Sequence, residues 1–288
     1  MGLLRRRVNM KAGKKINIGK IAVYALLILG SLLCLMPLIW MLRSSLMTNV
    51  EIFMVPIHWI PEKFQWKNYK DVFTTLPFLT YYANSLKLVL GVVSGAVLTS
   101  AICAYGLSRI NWAGKNIVFS CIMGSMMLPA AVTIIPTFLM FRKIGLTNSL
   151  APLIIPAWLG GGAFYIFLLR QFFMSIPKDM DEAAYIDGAT HIQIFTRIML
   201  PLTKPALVVV GMFAFMNTWN DFLGPLIYLN SDKKYTVALG LQLFIGSYRA
   251  EWQLMMAAAC LVVIPAVIVF MIGQRYLIEG ITMTGVKG

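Results

Sequence analysis

"DMDEAAYIDGATHIQIFTRIMLPLTKP" occupies residues 179–205 and holds Asp179, Asp181, Glu182 and Asp187, four of the 11 acidic residues in a chain of 288. The rest of the chain is apolar and basic, with 25 lysines and arginines and a formal net charge of +14. Ser175 is a candidate N-cap for a helix beginning near Pro177, and acids in a first turn favour the positive end of the helix dipole. A short acidic helix is therefore predicted over 178–187. Gly188 stands where a left-handed residue would end that helix. Thr190 and Gln193 have capping-box spacing for a second helix, which carries Ile194, Phe195, Ile198 and Met199 towards Pro201. The stretch thus reads as helix, turn, helix. Ala183 and Ala184 remove side-chain bulk so that another backbone can approach, and Glu182 and Asp187 present carboxylates to basic groups. A solvated amphipathic loop whose acids offset basic surroundings fits the same composition, and physical features alone favour neither reading.

What flanks the stretch decides the fold class. The chain is 59% hydrophobic and 12% charged, with mean hydropathy +0.77, against roughly 25% charge in soluble domains. Crossing a hydrocarbon layer of about 30 Å takes about 20 residues at 1.5 Å each. Runs of that order lie at 21–41, 85–108, 117–140, 151–173, 206–228 and 256–277. Pro129, Pro136, Pro152 and Pro156 interrupt the third and fourth, and membrane helices tolerate proline where neighbours satisfy the freed carbonyls. The expectation is an all-α polytopic membrane protein with six transmembrane helices.

The organisation that follows is a basic tail over 1–20, a first helix over 21–43, an outer segment over 44–82, a core of five helices over 83–277 and a tail over 278–288. The first helix is too long for a signal peptide and no small-x-small cleavage site follows it, so it is read as retained. Arg5, Arg6, Arg7, Lys11, Lys14, Lys15 and Lys20 precede it, and Arg109, Lys115, Arg170, Lys178, Arg197 and Lys204 fall in loops on the same side. The positive-inside bias places both termini in the cytoplasm. That sorting, together with anionic lipid headgroups, accounts for the basic charge without nucleic acid.

Little points to bond-making chemistry. Cys34, Cys103, Cys121 and Cys260 are scattered through the apolar runs and read as small core residues. With His58 and His191 as the two histidines, no metal-ligand set is evident. No nucleophile motif, phosphate loop or redox motif appears. Gly160 to Gly162 read as close helix packing ahead of a hinge, Lys87 as snorkelling to headgroups, and His191 as a surface residue.

"FMNTWNDFLGPL" at 215–226 places Asn217, Trp219, Asn220 and Asp221 inside the fifth run. Amides and a carboxylate are costly against lipid, so they should face a cavity or a partner helix. Asn217 and Asp221 are four apart and share a helix face. One reading is a path for hydroxyl-rich solutes, with Trp219 or Phe222 stacking on sugar faces. The other is hydrogen bonding between helices, or the outer end of the span.

The order of residues in the opening stretch adds a resemblance. Glu182-Ala183-Ala184, Gly188, Ile198 and Leu200-Pro201 fit without a gap the EAA motif of ABC importer permeases. "NSLKL" (84–88), "AYGLSR" (104–109), "MLP" (127–129), "TWNDFLGPL" (218–226) and "GVKG" (285–288) resemble the carbohydrate-uptake subfamily, the MalG type. The likeness covers most of the chain from residue 84. It implies a type I ABC importer permease fold in the bacterial inner membrane, with the EAA elbow over about 175–205. It implies that Glu182, Ala183, Ala184, Asp187 and Gly188, followed by Leu200 and Pro201, dock into an ATPase subunit. Gly285, Val286, Lys287 and Gly288 would lie as an extended segment between two ATPase subunits, and 230–252 would touch a solute-binding protein.

The implied partners are a second, MalF-like permease, a homodimeric ABC ATPase, an extracytoplasmic solute-binding protein and a sugar. ATP and Mg belong to the ATPase, and this chain would bind no cofactor and catalyse nothing itself. Gly224 departs from the pattern, since many relatives carry a bulky residue there, often Trp. The rivals are a permease for a non-sugar solute such as an amino acid or phosphate ester, and a membrane scaffold or receptor that transports nothing.

Overall fold

Long apolar runs become long helices in the computed structural model, which describes residues 18–245 and 250–285, and the interior Pro37 and Pro265 do not end them. Helix α1 is Ile18–Ser45, α4 is Phe78–Ser108 and α14 is Trp252–Gly285. Between α1 and α4 lie two short helices, α2 (Asn49–Ile52) and α3 (Lys67–Thr75). After α4 come α5 (Lys115–Ser125), α6 (Ala130–Lys143), α7 (Ala151–Trp158) and α8 (Ala163–Ser175). Then follow α9 (Asp179–Ile186) and α10 (His191–Leu202), α11 (Lys204–Trp219), α12 (Leu223–Tyr228) and α13 (Val237–Gln242).

Among the described residues four helical stretches are long and apolar enough to cross a membrane: Ala22–Ser45, Phe78–Ser108, Ala151–Ser175 and Trp252–Leu277. His191–Leu202 with Lys204–Trp219 makes a fifth if that pair, bent by 76°, is taken as one span. The six expected runs differ from this in two places. The run 117–140 is divided by Met126 to Pro129, leaving helices of 11 and 14 residues, about 16 and 21 Å long. Pro129 is extended at φ −60°, ψ 138°, and Leu128 before it is disfavoured in the helical region. The run 206–228 stops as a helix at Trp219 and resumes at Leu223, because Asp221 turns its carboxylate back onto the next helix start. The last helix continues past 277 to Gly285, so the expected tail is partly helical.

α4 is the central post. It meets α7, α8 and α11 along its length, while α1 packs on α14 and α3 on α14. Two apolar clusters sit at its two ends. Phe78, Tyr81 and Val89 join Phe215, Trp219, Val237, Leu254 and Ala257 at one end. Ala101, Ala104 and Tyr105 join Leu169, Phe173, Ala184, Ile194 and Met199 at the other. Gly161, between α7 and α8, lets the chain pass close to α4: a Cβ there would fall 2.6 Å from the Ala96 carbonyl oxygen.

Candidate functional site

The opening stretch forms an elbow at the second of these clusters. α9 begins with Asp179, Asp181 and Glu182 in its first turn, where carboxylates favour the helix dipole. Ser175, expected as the cap, instead donates to the Phe172 carbonyl at 2.7 Å, and Lys178 occupies the cap position without a side-chain bond. α8 runs through Ser175 and α9 begins at Asp179, so Ser175 lies three residues before the cap position. The helix ends as its glycine predicts. Gly188 has φ +78°, its N–H donates to Tyr185 O at 3.0 Å, and the Ala189 N–H donates to Ala184 O at 2.9 Å. That is the Schellman pattern.

α10 restarts the chain with the expected capping box. The Gln193 N–H donates to Thr190 Oγ1 at 3.3 Å and the Thr190 N–H donates to Gln193 Oε1 at 2.7 Å. Its middle is not α-helical, however. Ile194–Met199 is π-wound, and the Leu200 N–H bonds Phe195 O five residues back. The ring of Pro201 would strike the carbonyl four residues earlier in an α-helix, and a wider turn upstream relieves that clash. Thr203, fully buried with Oγ1 donating to Met199 O at 2.8 Å, marks the 76° bend into α11.

The elbow has two faces. Asp181, Ala184, Ile194 and Met199 are buried against the bundle, whereas Glu182, Ala183, Tyr185, Asp187 and Gly188 are exposed. The sequence reading gave both alanines to one surface, but successive helical residues point about 100° apart, and only Ala183 faces out. An open groove of about 330 Å³ between the helices is lined by Ala184, Asp187, Gly188, Gln193, Arg197 and Ile198. Leu200 is half-buried and Pro201 exposed. The outer face also carries Ile186, 87% exposed, and Ile192, 74% exposed. Sequence reasoning passed over both; the available signal was two isoleucines among polar neighbours, flanking the glycine turn. Apolar side chains so exposed beside a groove mark an interaction surface.

Within the elbow Glu182 and Asp187 stay exposed on the outer face, while Asp181 has a basic partner in the bundle. Its Oδ2 accepts from Arg109 Nη1 at 3.0 Å, and the side chains are 11% and 3% exposed respectively. Burial raises the Asp181 carboxyl above the ordinary carboxylate range, while Arg109 beside it works in the opposite direction. With the folded value raised, the charged carboxylate weighs against folding at neutral pH, and that cost fades as pH falls through the folded value.

The second candidate lies in the fifth run, and the structure divides it. Asn217, Thr218 and Asp221 line a cleft of about 330 Å³ with Tyr165, Leu88, Val92 and Leu153. Asn217 Nδ2 donates to Tyr165 Oη at 3.1 Å. Asp221 Oδ1 accepts the Gly224 N–H at 3.0 Å, and Asn220 Nδ2 donates to its own helix at Met216 O, 2.8 Å away. Trp219 turns the other way. It is 2% exposed, stacks on Phe215 at 5.6 Å and donates Nε1–H to Val262 O at 3.0 Å. A residue two after Asn217 points about 200° away from it on a helix, so Trp219 is core and offers no face to the cleft. Phe222 is exposed but does not line the cleft. In the terminal motif Gly285 ends α14, while Val286, Lys287 and Gly288 lie outside the described residues.

Residues 96–282 match the protein family described as "Binding-protein-dependent transport system inner membrane component". The chain is 32% identical to the sulfoquinovosyl glycerol transport system permease protein SmoH of Agrobacterium fabrum, over 88% of this chain and 89% of that one. It is also 32% identical to the diacetylchitobiose uptake system permease protein NgcG of Streptomyces coelicolor, over 88% and 84% respectively. A chain in the crystal structure of a bacterial ABC transporter involved in import of the acidic polysaccharide alginate superposes with a TM-score of 0.80 at 24% identity, covering 93% of this chain and 99% of that one. The last likeness is one of fold.

Proposed function

The chain belongs to the family of binding-protein-dependent transport system inner membrane components, and on that premise we propose that it is one of two different permease subunits of an ABC importer for an oligosaccharide or related sugar. Its partners are a second permease, a homodimeric ATPase that binds ATP and Mg, and an extracytoplasmic solute-binding protein. The chain is multi-pass in the inner membrane, and both termini lie on the cytoplasmic side with the elbow. The observation that carries the reading is the elbow's division of labour: an inner face welded into the bundle and an outer face of Glu182, Ala183, Ile186, Gly188 and Ile192 left bare. A short apolar-tipped handle of this kind suits a cleft on the ATPase. ATP closes the ATPase pair, and the docked elbows carry that motion to the spans. The terminal Gly285 to Gly288 follows the same subunits.

Affinity purification of the native membrane complex and intact-complex mass spectrometry test this. Recovery with a second permease and two ATPase copies is expected; recovery of this chain alone, from membranes that hold the ATPase, would sink the proposal. Sugar identity is read from ligand retained by the complex, and retention of an amino acid or phosphate ester in its place would overturn the sugar class.

The cleft at Asn217, Thr218 and Asp221 is the stretch of this subunit best suited to hydroxyl-rich solutes. Gly224 sets its chemistry. A Cβ there would collide with Asp221 Oδ2 and approach Leu153 Cδ2 at 2.9 Å, both movable side-chain ends. Gly224→Ala is therefore expected to push the carboxylate off the Gly224 N–H and towards the cleft. Assembly should be preserved and the KM for uptake should change about fivefold, the scale of one hydrogen bond. An unchanged KM would place Asp221 outside the solute path.

A further inference from the structure

One guanidinium joins three helices at the elbow. Arg109 sits at the C-terminal cap of α4, with its own N–H on Tyr105 O at 2.9 Å. Its Nη2 donates to Phe173 O, in the last turn of α8, and to Ile176 O at 2.6 Å just beyond. Its Nη1 donates to Asp181 of α9 at 3.0 Å. The carbonyls at a helix C-terminus lack partners within the helix and carry its negative end, so a planar cation with fixed donors suits the place.

The rest of α9 has little hold on the bundle. Asp181 and Ala184 are its two buried side chains, and an alanine supplies only a small apolar contact. α10 is held by Ile194, Met199, the ring contact of Phe195 with Tyr105 at 5.0 Å and one neutral hydrogen bond, from Tyr105 Oη to the His191 carbonyl at 3.2 Å. Apolar contacts resist separation but allow sliding, and a neutral hydrogen bond is roughly half as strong as a charge-assisted one, whereas a charged fork fixes direction. The pair is also not built for stability alone. Asp181 Oδ1 and Arg109 Nε are buried with no hydrogen-bond partner among the described residues, and a buried ion pair with unfilled positions is weak evidence of stabilisation.

We propose that Arg109 is a positioning residue for coupling, a rigid link through Asp181 that makes the elbow move as one body with α4 and α8 when the ATPase pulls on it. The link rests on the elbow being the ATPase-docking element. It distributes force directly into the central helix α4, so that displacement of α9 becomes displacement of the post that lines the solute path through Leu88 and Val92. Without it the elbow still docks but yields independently of the spans.

The test uses the complete importer in proteoliposomes with Arg109→Lys, Asp181→Asn and the double variant. ATPase retention and ATP hydrolysis should stay within about twofold of the unaltered complex, while solute moved per ATP falls about tenfold in each single variant. The double variant should be no worse than the poorer single one, as for two halves of one link. An unchanged ratio, or losses that multiply in the double variant, would overturn the link. Should Arg109→Lys fail to assemble, Asp181→Asn keeps shape and decides the matter alone. A second reading comes from spin labels at Met180 and Trp112, both exposed. Their separation should be constant between nucleotide-free and ATP-bound states in the unaltered complex and should shift in Asp181→Asn; constancy in both would also overturn the link. If Gly188 substitution leaves the ATPase bound, the docking reading fails by itself; if docking needs Gly188 but the ratio is untouched, only the link fails.

Discussion

Gly188→Val is expected to lower uptake about 100-fold with the chain still inserted in the membrane, and Gly188→Asn about tenfold. Gly188 holds φ +78°, which costs an ordinary L-residue about 1–2 kcal/mol and is worse for a β-branched one. No atom lies within 4 Å of a Cβ added there, so the chain by itself has room for a side chain. On the proposed docking the added atoms would meet the ATPase, at an overpacking cost of about 1–3 kcal/mol. Strain and bulk together reach the roughly 2.7 kcal/mol that 100-fold requires. Asparagine adopts the left-handed region with less strain, so it isolates bulk. Uptake of labelled solute and ATPase retention on purification provide the measurements. Normal values for Gly188→Val in both would remove the elbow from the coupling path.

Trp219→Ala is expected to lower the melting temperature of the purified complex by about 10 °C, from a loss of at least about 3 kcal/mol for a large buried ring. The indole touches Phe215 and Tyr82 and donates to Val262 O, so its removal opens a hole between α4, α11 and α14. Trp219→Phe should keep the stacking and lose the hydrogen bond, about 1 kcal/mol, together with part of the ring volume, so its melting temperature should fall between those of the unaltered and alanine forms. Asn217→Ala, by contrast, should leave melting nearly unchanged and alter uptake kinetics. Were Trp219→Ala to melt normally and change solute preference, the ring would belong to the path after all.

These contrasts indicate what a one-dimensional reading captures. Gly188, Thr190 and Gln193 were legible because their effects are local: a left-handed turn and a capping box involve neighbours within a few positions. The long apolar runs were legible for the same reason, and α1, α4 and α14 follow from them. Directions were harder. The sequence placed Ala183 with Ala184 and Trp219 with Asn217, and each pair separates by helical rotation. Partnerships across the chain were not legible at all. Arg109 and Asp181 are 72 positions apart, and as separate residues each has an adequate local role, one as a positive-inside charge and the other as a dipole acid. The interruption at Met126 to Pro129 lay between the two: the proline was visible, but whether neighbours would carry the helix across it depends on packing.

The π-wound turn at Ile194–Met199 has a consequence for how this region tolerates change in length. A π turn completes the same full turn with one residue more than an α turn, so deleting a single residue there would restore ordinary winding and leave the elbow on nearly the same bearing relative to α11, whereas the same deletion in α-wound chain would rotate it by about 100°. Ile186 and Glu182 would keep their heading after the first deletion and lose it after the second. The π turn is thus a spare link, a place where a residue can be dropped without turning the handle.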